Sequence, residues 1–240
     1  MEKRRLIRTS IKAHIKTGEM TPTDDYRRFR VYRSDADAYF DILPEVRVKV
    51  QAQFAKMRAN GEKIVHIDIC GEASACKTLK ADVSYLSPLT MIPNDELRRH
   101  RNDKPLPGNI FDPNHFARLK HTVLAQDGAP ALITFNPIAG LQDHDPIHAD
   151  LTGEALELHG KVTYGILEKR LVDCMTMLKR GGYIFIEKPF QSMGTVEFLR
   201  GVPQEKRQFT LRVKELAEQN KCTVKCYADI RGPFLLVRRR

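Results

Sequence analysis

From Pro44 onward, the apolar residues Val46, Val50, Phe54 and Met57 recur at helical spacing until the dipeptide Asn60-Gly61 stops the pattern. The first predicted element is therefore a helix. It leads into IVHIDI (64–69), which reads as a strand. Beyond it, short apolar runs alternate with longer helical stretches. TLKADVS (78–84) reads as a weaker strand, GNIF (108–111) as a short one and ALITFN (131–136) as a clear one. A helix is expected from about Val162 to Leu178, with Ile166, Leu167, Leu171, Cys174 and Leu178 on one side, ended by Gly181-Gly182. There follow the strand YIFIE (183–187), a helix from roughly Gln204 to Gln219, and two closing strands, CTVKCYA (222–228) and PFLLVRR (233–239), joined by the tight turn DIRG.

Strands alternating with helices imply right-handed crossovers and a mainly parallel sheet with helices on both faces, an α/β architecture. The closing hairpin is expected to add an antiparallel strand at one edge. Residues 1–43 are polar and basic with scattered aromatics (Tyr26, Phe29, Tyr32, Tyr39, Phe40), so they read as an extension appended to a core domain of residues 44–240. No internal repeat or low-complexity tract interrupts the chain.

A length of 240 residues with 42% hydrophobic content suffices for one substantial core. No apolar run approaches the roughly 20 residues of a membrane span, and MEKRRLIRTSIKAH lacks the apolar centre of a secretory signal. The expectation is a cytoplasmic protein with no membrane partner. Five cysteines, an odd number without a zinc-like pair of pairs, suit a reducing compartment. Cys222 and Cys226 would share one face of a strand as packed thiols, and no metal is expected there.

Lys and Arg total 40 against 30 Asp and Glu, for a net charge of +10 and a pI near 9.4. That field favours polyanions. The excess gathers at Lys3, Arg4, Arg5, Arg8, Lys12 and Lys16, and again at Arg238, Arg239 and Arg240. RNA or DNA bound through the basic termini is the functional reading; solvated terminal charge and a membrane-surface role compete with it.

An open parallel sheet binds ligands outside the carboxyl ends of its strands, where the strand order reverses. A ligand would lie over the turn CGEASA after the first strand. No G-x-G-x-x-G follows that strand, which weighs against a nicotinamide-dependent oxidoreductase. In LQDHDPIHADL (141–151), His144 could act as a general base, or His144 and His148 could join Asp143, Asp145 and Asp150 around a divalent metal. A plain solvated loop is the third reading.

The succession HIDICGEASA, ADVS, GNIFDP, FNPIAG and LKRGGYIFI resembles class I S-adenosylmethionine-dependent methyltransferases over about residues 44–240. Their fold is a Rossmann-like, seven-stranded, mainly parallel sheet whose last strand is antiparallel. The resemblance implies S-adenosyl-L-methionine as cofactor. Asp68 would orient the first loop or the methionine ammonium, and Cys70, Gly71 and Ala73 would let main chain approach the ligand. Asp82 would accept from the ribose hydroxyls; since only fourteen residues separate it from Asp68, the other reading is a turn aspartate. Asn109 would meet the adenine amino group with Ile110 over the ring, or else Asn109 and Asp112 cap the helix beginning near Pro113. In NPIAG, Asn136 and Pro137 match base-amino methyltransferases, whereas Ile138 and Ala139 replace their second proline and stacking ring.

Two further segments are similar to FtsJ-like RNA ribose 2′-O-methyltransferases. YRSDADAYFDIL (32–43) is similar to their RSRAAYKL, and GGYIFIEKPFQ (181–191) to their GGxFVVKVFQG. Of their Lys-Asp-Lys-Glu tetrad, the first lysine is replaced by Phe40 and the aspartate by Asn136. The second lysine is Lys188 with one residue inserted, or Glu187 by strict counting, and the last position falls on Gly232 or Pro233. The resemblance thus implies methyl transfer to RNA, at a ribose hydroxyl or a base, with Asn136, Lys188 and His144 on the acceptor side. The alternative is a catalytically lapsed protein of this fold that binds RNA or protein.

Overall fold

The computed structural model describes residues 40, 43–69, 79–87, 103–106, 112–135, 153–187, 208–229 and 232–240, with the backbone alone for 153–164, 187, 228–229 and 232–233. Helix α1 (Pro44–Ala59) forms as the periodicity predicts. Val46, Val50, Phe54 and Met57 are its buried residues, Pro44 opens it, and Glu45 in the first turn with Lys56 and Arg58 in the last match the helix dipole. Its C-terminus closes through Gly61, at φ +75, whose amide donates to the Arg58 carbonyl.

Strands β1 (Val65–Ile69), β2 (Val83–Ser87), β3 (Asp103–Pro105), β4 (Leu132–Phe135), β5 (Tyr183–Glu187), β6 (Cys222–Asp229) and β7 (Gly232–Arg239) form one sheet in the order β3-β2-β1-β4-β5-β7-β6. Pairings among β1 to β5 are parallel, and β7 is antiparallel to both β5 and β6. This is the Rossmann-like, seven-stranded sheet with an antiparallel last strand. Helices α2 (Pro113–Gln126), α3 (Gly153–Met177) and α4 (Gln208–Gln219) share one core with Val65, Ile67, Ile69, Ile133, Ile184 and Val237. Helix α1 packs on the other face with Leu132, Tyr183, Phe185, Phe234 and Leu236. Phe40 is fully buried there, its ring edge-on to Phe185 at 4.9 Å, so it serves as a core side chain.

Four expectations are corrected. The second strand begins at Val83, because Leu79 and Lys80 form a turn with Lys80 at φ 47. The third strand is Asp103–Pro105; GNIF lies outside the described residues. An edge strand needs a pairing partner more than an apolar face, so Asp-Lys-Pro carries no hydrophobic signal and its proline is tolerated. Helix α3 starts at Gly153, nine residues before Val162, where two glycines and several charges hide the period. The hairpin does not place its antiparallel strand at the edge. β7 sits inside the sheet with Phe234, Leu235, Leu236 and Val237 all buried, while β6, with exposed Lys225, forms the edge.

The turn into β5 depends on close approach. A Cβ on Gly182 would stand 2.8 Å from the Ala131 carbonyl oxygen and 2.9 Å from that of Lys179, both main-chain atoms.

Candidate functional site

Strand β1 is buried along its whole length, so both of its faces are covered. Val65, Ile67 and Ile69 point to the three-helix core, and His66 and Asp68 to the opposite face. A buried strand face built from imidazole and carboxylate must find partners in its neighbours. The ladder supplies them: His66 stands opposite Ser84 on β2 and Asp68 opposite Thr134 on β4.

The resulting chain has a direction. The Thr134 hydroxyl donates to Asp68 Oδ1 at 2.6 Å, which leaves its oxygen to accept from His66 Nε2–H at 3.0 Å. On its other side His66 Nδ1 lies 3.2 Å from the Ser84 hydroxyl. Ser84, His66, Thr134 and Asp68 are all at most 6% exposed. The Asp68 carboxylate is thereby fixed at the carboxyl end of β1. That point is where the strand order reverses, with β2 on one side of β1 and β4 on the other. The sequence signal for this chain was present in the polar alternation of HIDI within a strand that has to be buried; sequence reasoning passed over His66, Ser84 and Thr134.

A second polar cluster closes the carboxyl end of β2. Ser87 is fully buried and lies 3.1 Å from His115 Nε2, while Arg118 approaches His115 Nδ1 at 3.3 Å. A guanidinium has no acceptor, so Nδ1 must accept and the ring proton is on Nε2, donated to Ser87. The pair is consequently not a base-activated nucleophile. Burial, and then the neighbouring Arg118 charge, hold the His115 pKa below its ordinary value against a weaker opposing pull from Asp112. Asp112 itself caps α2, its side chain accepting from the Asn114 amide at 2.9 Å.

Asp82 is not where a ribose could meet it. β1 and β2 run in parallel with Asp68 opposite Leu86, which puts Asp82 at the amino-terminal end of β2, about 13 Å back along the strand from the Asp68 level. Its carboxylate accepts from the Ile64 amide at 2.7 Å and faces Arg58 at 3.9 Å, and Arg58 also donates to the carbonyls of Leu79 and Lys80. Asp82 is a turn aspartate that starts the β1–β2 ladder. Only Asp68 of the expected cofactor residues stands at the carboxyl end among those described. Cys70, Gly71, Ala73, Asn109, Ile110, Asn136, His144, His148 and Lys188 lie outside the described residues. By chain order Cys70 follows the last residue of β1, Asn136 the last of β4 and Lys188 the last of β5.

At the opposite, amino-terminal end, Asp127 gathers Tyr85 at 2.5 Å, Lys104 at 2.6 Å and Lys63. Burial would raise its pKa, but the hydrogen bonds from Lys104, Lys63 and Tyr85 outweigh that and hold the carboxyl far below the usual range. This hub ties α2 to β1, β2 and β3. The thiols of Cys174 and Cys222 are pushed up by burial, which suits packed rather than reactive cysteines. Among the described residues no cluster of three or more His, Cys, Asp or Glu could hold a metal ion, and no helix is long and apolar enough to cross a membrane.

No protein-family model matches the chain, and no curated protein does. Among solved structures, an O-methyltransferase family protein from Burkholderia thailandensis is 13% identical with a TM-score of 0.43, over 85% of this chain and 57% of its own, so the present chain spans less than two thirds of that protein. The N-methyltransferase NodS from Bradyrhizobium japonicum WM9 is 11% identical with a TM-score of 0.41, over 81% of this chain and 94% of its own. An rRNA methylase from Streptococcus thermophilus is 12% identical with a TM-score of 0.33, over 74% of this chain and 87% of its own. Likenesses this distant carry no statement about substrate.

Proposed function

We propose that the protein is an S-adenosylmethionine-dependent methyltransferase whose acceptor is RNA. The observation that carries this reading is the Asp68 carboxylate, buried and clamped by Thr134 at the carboxyl end of β1, at the point of strand-order reversal in a seven-stranded sheet with an antiparallel β7. A fixed carboxylate there suits a donor that bears an ammonium and no phosphate. The fit is partial: Asp82 stands at the wrong end for the ribose, and the ribose contact would have to come from residues other than Asp82.

The donor supplies an already activated methyl group on a sulfonium. The chain's task is to hold an acceptor in line with it and to take up a proton. Asn136 and Lys188, each one position beyond the carboxyl end of its strand, and His144 in the loop that follows are the residues proposed for this. RNA is favoured as acceptor by the net charge of +10 and by the FtsJ-like segments.

Transfer of labelled methyl from S-adenosylmethionine to total RNA tests the reading. Incorporation is expected, with Lys188→Ala and Asn136→Ala each lowering it by roughly 10²- to 10⁴-fold. The displacement of Asp82 from the ligand end favours one second reading, a lapsed enzyme that binds without transferring; absence of incorporation from intact protein would select it.

A further inference from the structure

We infer that the groove between α1 and the β6–β7 edge is a binding surface for single-stranded RNA, separate from the carboxyl end of the sheet. Lys49 on α1, Lys225 on β6 and Arg238 on β7 are exposed along its rim, and Val50 and Leu236 form part of its apolar floor. Tyr227, partly exposed, presents its ring to it, and the buried Tyr183 lines it from below. Arg238 lies over the Tyr183 ring at 5.8 Å, while Tyr227 is stacked on Phe234 at 5.0 Å with 12° between the planes.

Charge selects the occupant. Lys49, Lys225 and Arg238 are the charged residues that line the groove, and none of its lining residues is acidic. Glu45 is felt by Tyr227, but only as a secondary influence after burial; both keep the phenol protonated and the ring uncharged. A cationic rim above an apolar floor and a partly exposed aromatic ring is the combination that tracks a phosphate backbone while stacking a base. An acidic peptide would use the rim and waste the ring. From Thr223 to Tyr227 the groove extends about 13 Å along β6, room for a few nucleotides of a single strand. Because β6 runs parallel to β5, an RNA lying there points from the amino end of the sheet toward the ligand end. The inference shares with the functional reading only the choice of RNA.

The test is fluorescence anisotropy of a labelled 12-nucleotide single-stranded RNA on the full chain, without methyl donor, at 50 to 300 mM salt. Three phosphate contacts predict a log–log salt slope with about −2 contributed by this groove, since each contact adds about −0.7 on a single strand. The triple variant Lys49→Gln, Lys225→Gln, Arg238→Gln should flatten the slope by about 2 and weaken binding at least tenfold at the lowest salt. A control of equal charge change, Lys56→Gln, Lys169→Gln, Arg180→Gln, should alter neither by more than twofold. Tyr227→Leu should weaken binding roughly 5- to 100-fold with the slope unchanged. Thermal unfolding checks that each variant is folded. Equal loss in the two triple variants, no RNA binding by the parent chain, or retention on phosphatidylserine vesicles in place of RNA would each overturn the inference.

Discussion

Thr134→Val removes one hydroxyl from the centre of the β2–β1–β4 chain and almost nothing else. The side chain is 6% exposed, so water cannot replace what is lost. Its 2.6 Å donation to the Asp68 carboxylate, shared with a longer 3.4 Å approach to the Ile67 carbonyl, and its 3.0 Å acceptance from His66 are lost. A hydrogen bond to a charged group contributes about 1.5–3 kcal/mol and a neutral one about 0.5–1.5 kcal/mol, so the expected loss is about 3 kcal/mol. For a chain of this length each kcal/mol moves Tm by about 2–4 °C, which gives a fall of about 6–12 °C. Thr134→Ser separates hydroxyl from volume: it keeps both bonds and loses one methyl, at about 1 kcal/mol. Calorimetric or circular-dichroism melts of the three proteins, with urea midpoints as a second measure, decide the matter. If valine and serine lower Tm equally, the hydroxyl holds nothing and the directional chain described above is wrong.

Removing the charge of the amino-terminal hub with Asp127→Asn should cost about 2 kcal/mol at neutral pH; Lys63 and Lys104 remain 48% and 40% exposed, which keeps the effect modest. Because the folded-state pKa of Asp127 lies below its unfolded value, its stabilisation is complete above about pH 4 and fades as pH falls below that, so urea midpoints of the variant should decline less between pH 4 and pH 2 than those of the parent. His115 also has a lowered folded pKa, so the parent should lose stability as pH falls from about 6.5, where the unfolded imidazole charges and the buried one resists. His115→Gln should flatten that decline between pH 7 and pH 5, and an unchanged decline would show that His115 titrates freely.

How much of this was legible depended on whether a segment's role was hydrophobic. Helix α1, β1, β4, β5 and β7 announced themselves through period or apolar run, and each formed with its apolar residues buried. β2 and β3 did not. Ser84 and Ser87 are among the least exposed residues yet carry no hydrophobic signal, and β3 needs only its ladder with β2. Misplacing β2 also misplaced Asp82, since an aspartate before a strand and one after it sit at opposite ends of a parallel sheet. The short spacing from Asp68 already held that answer. The positions of β6 and β7 were readable too: a run buried on both faces belongs inside a sheet, and a strand with exposed lysine belongs at its edge. His66 and Thr134 were missed because single polar residues in apolar runs gain meaning only once the register sets them side by side.

The central claim is that a sulfonium nucleoside binds at the carboxyl end of β1 against Asp68. Isothermal titration with S-adenosylhomocysteine tests it most directly, run on the parent chain, on Asp68→Asn and on Asp82→Asn. The account predicts measurable binding by the parent, at least tenfold weakening in Asp68→Asn, and affinity within twofold of the parent in Asp82→Asn, whose amide oxygen can still accept from Ile64. No heat from the folded parent, or equal weakening by the two substitutions, would contradict it.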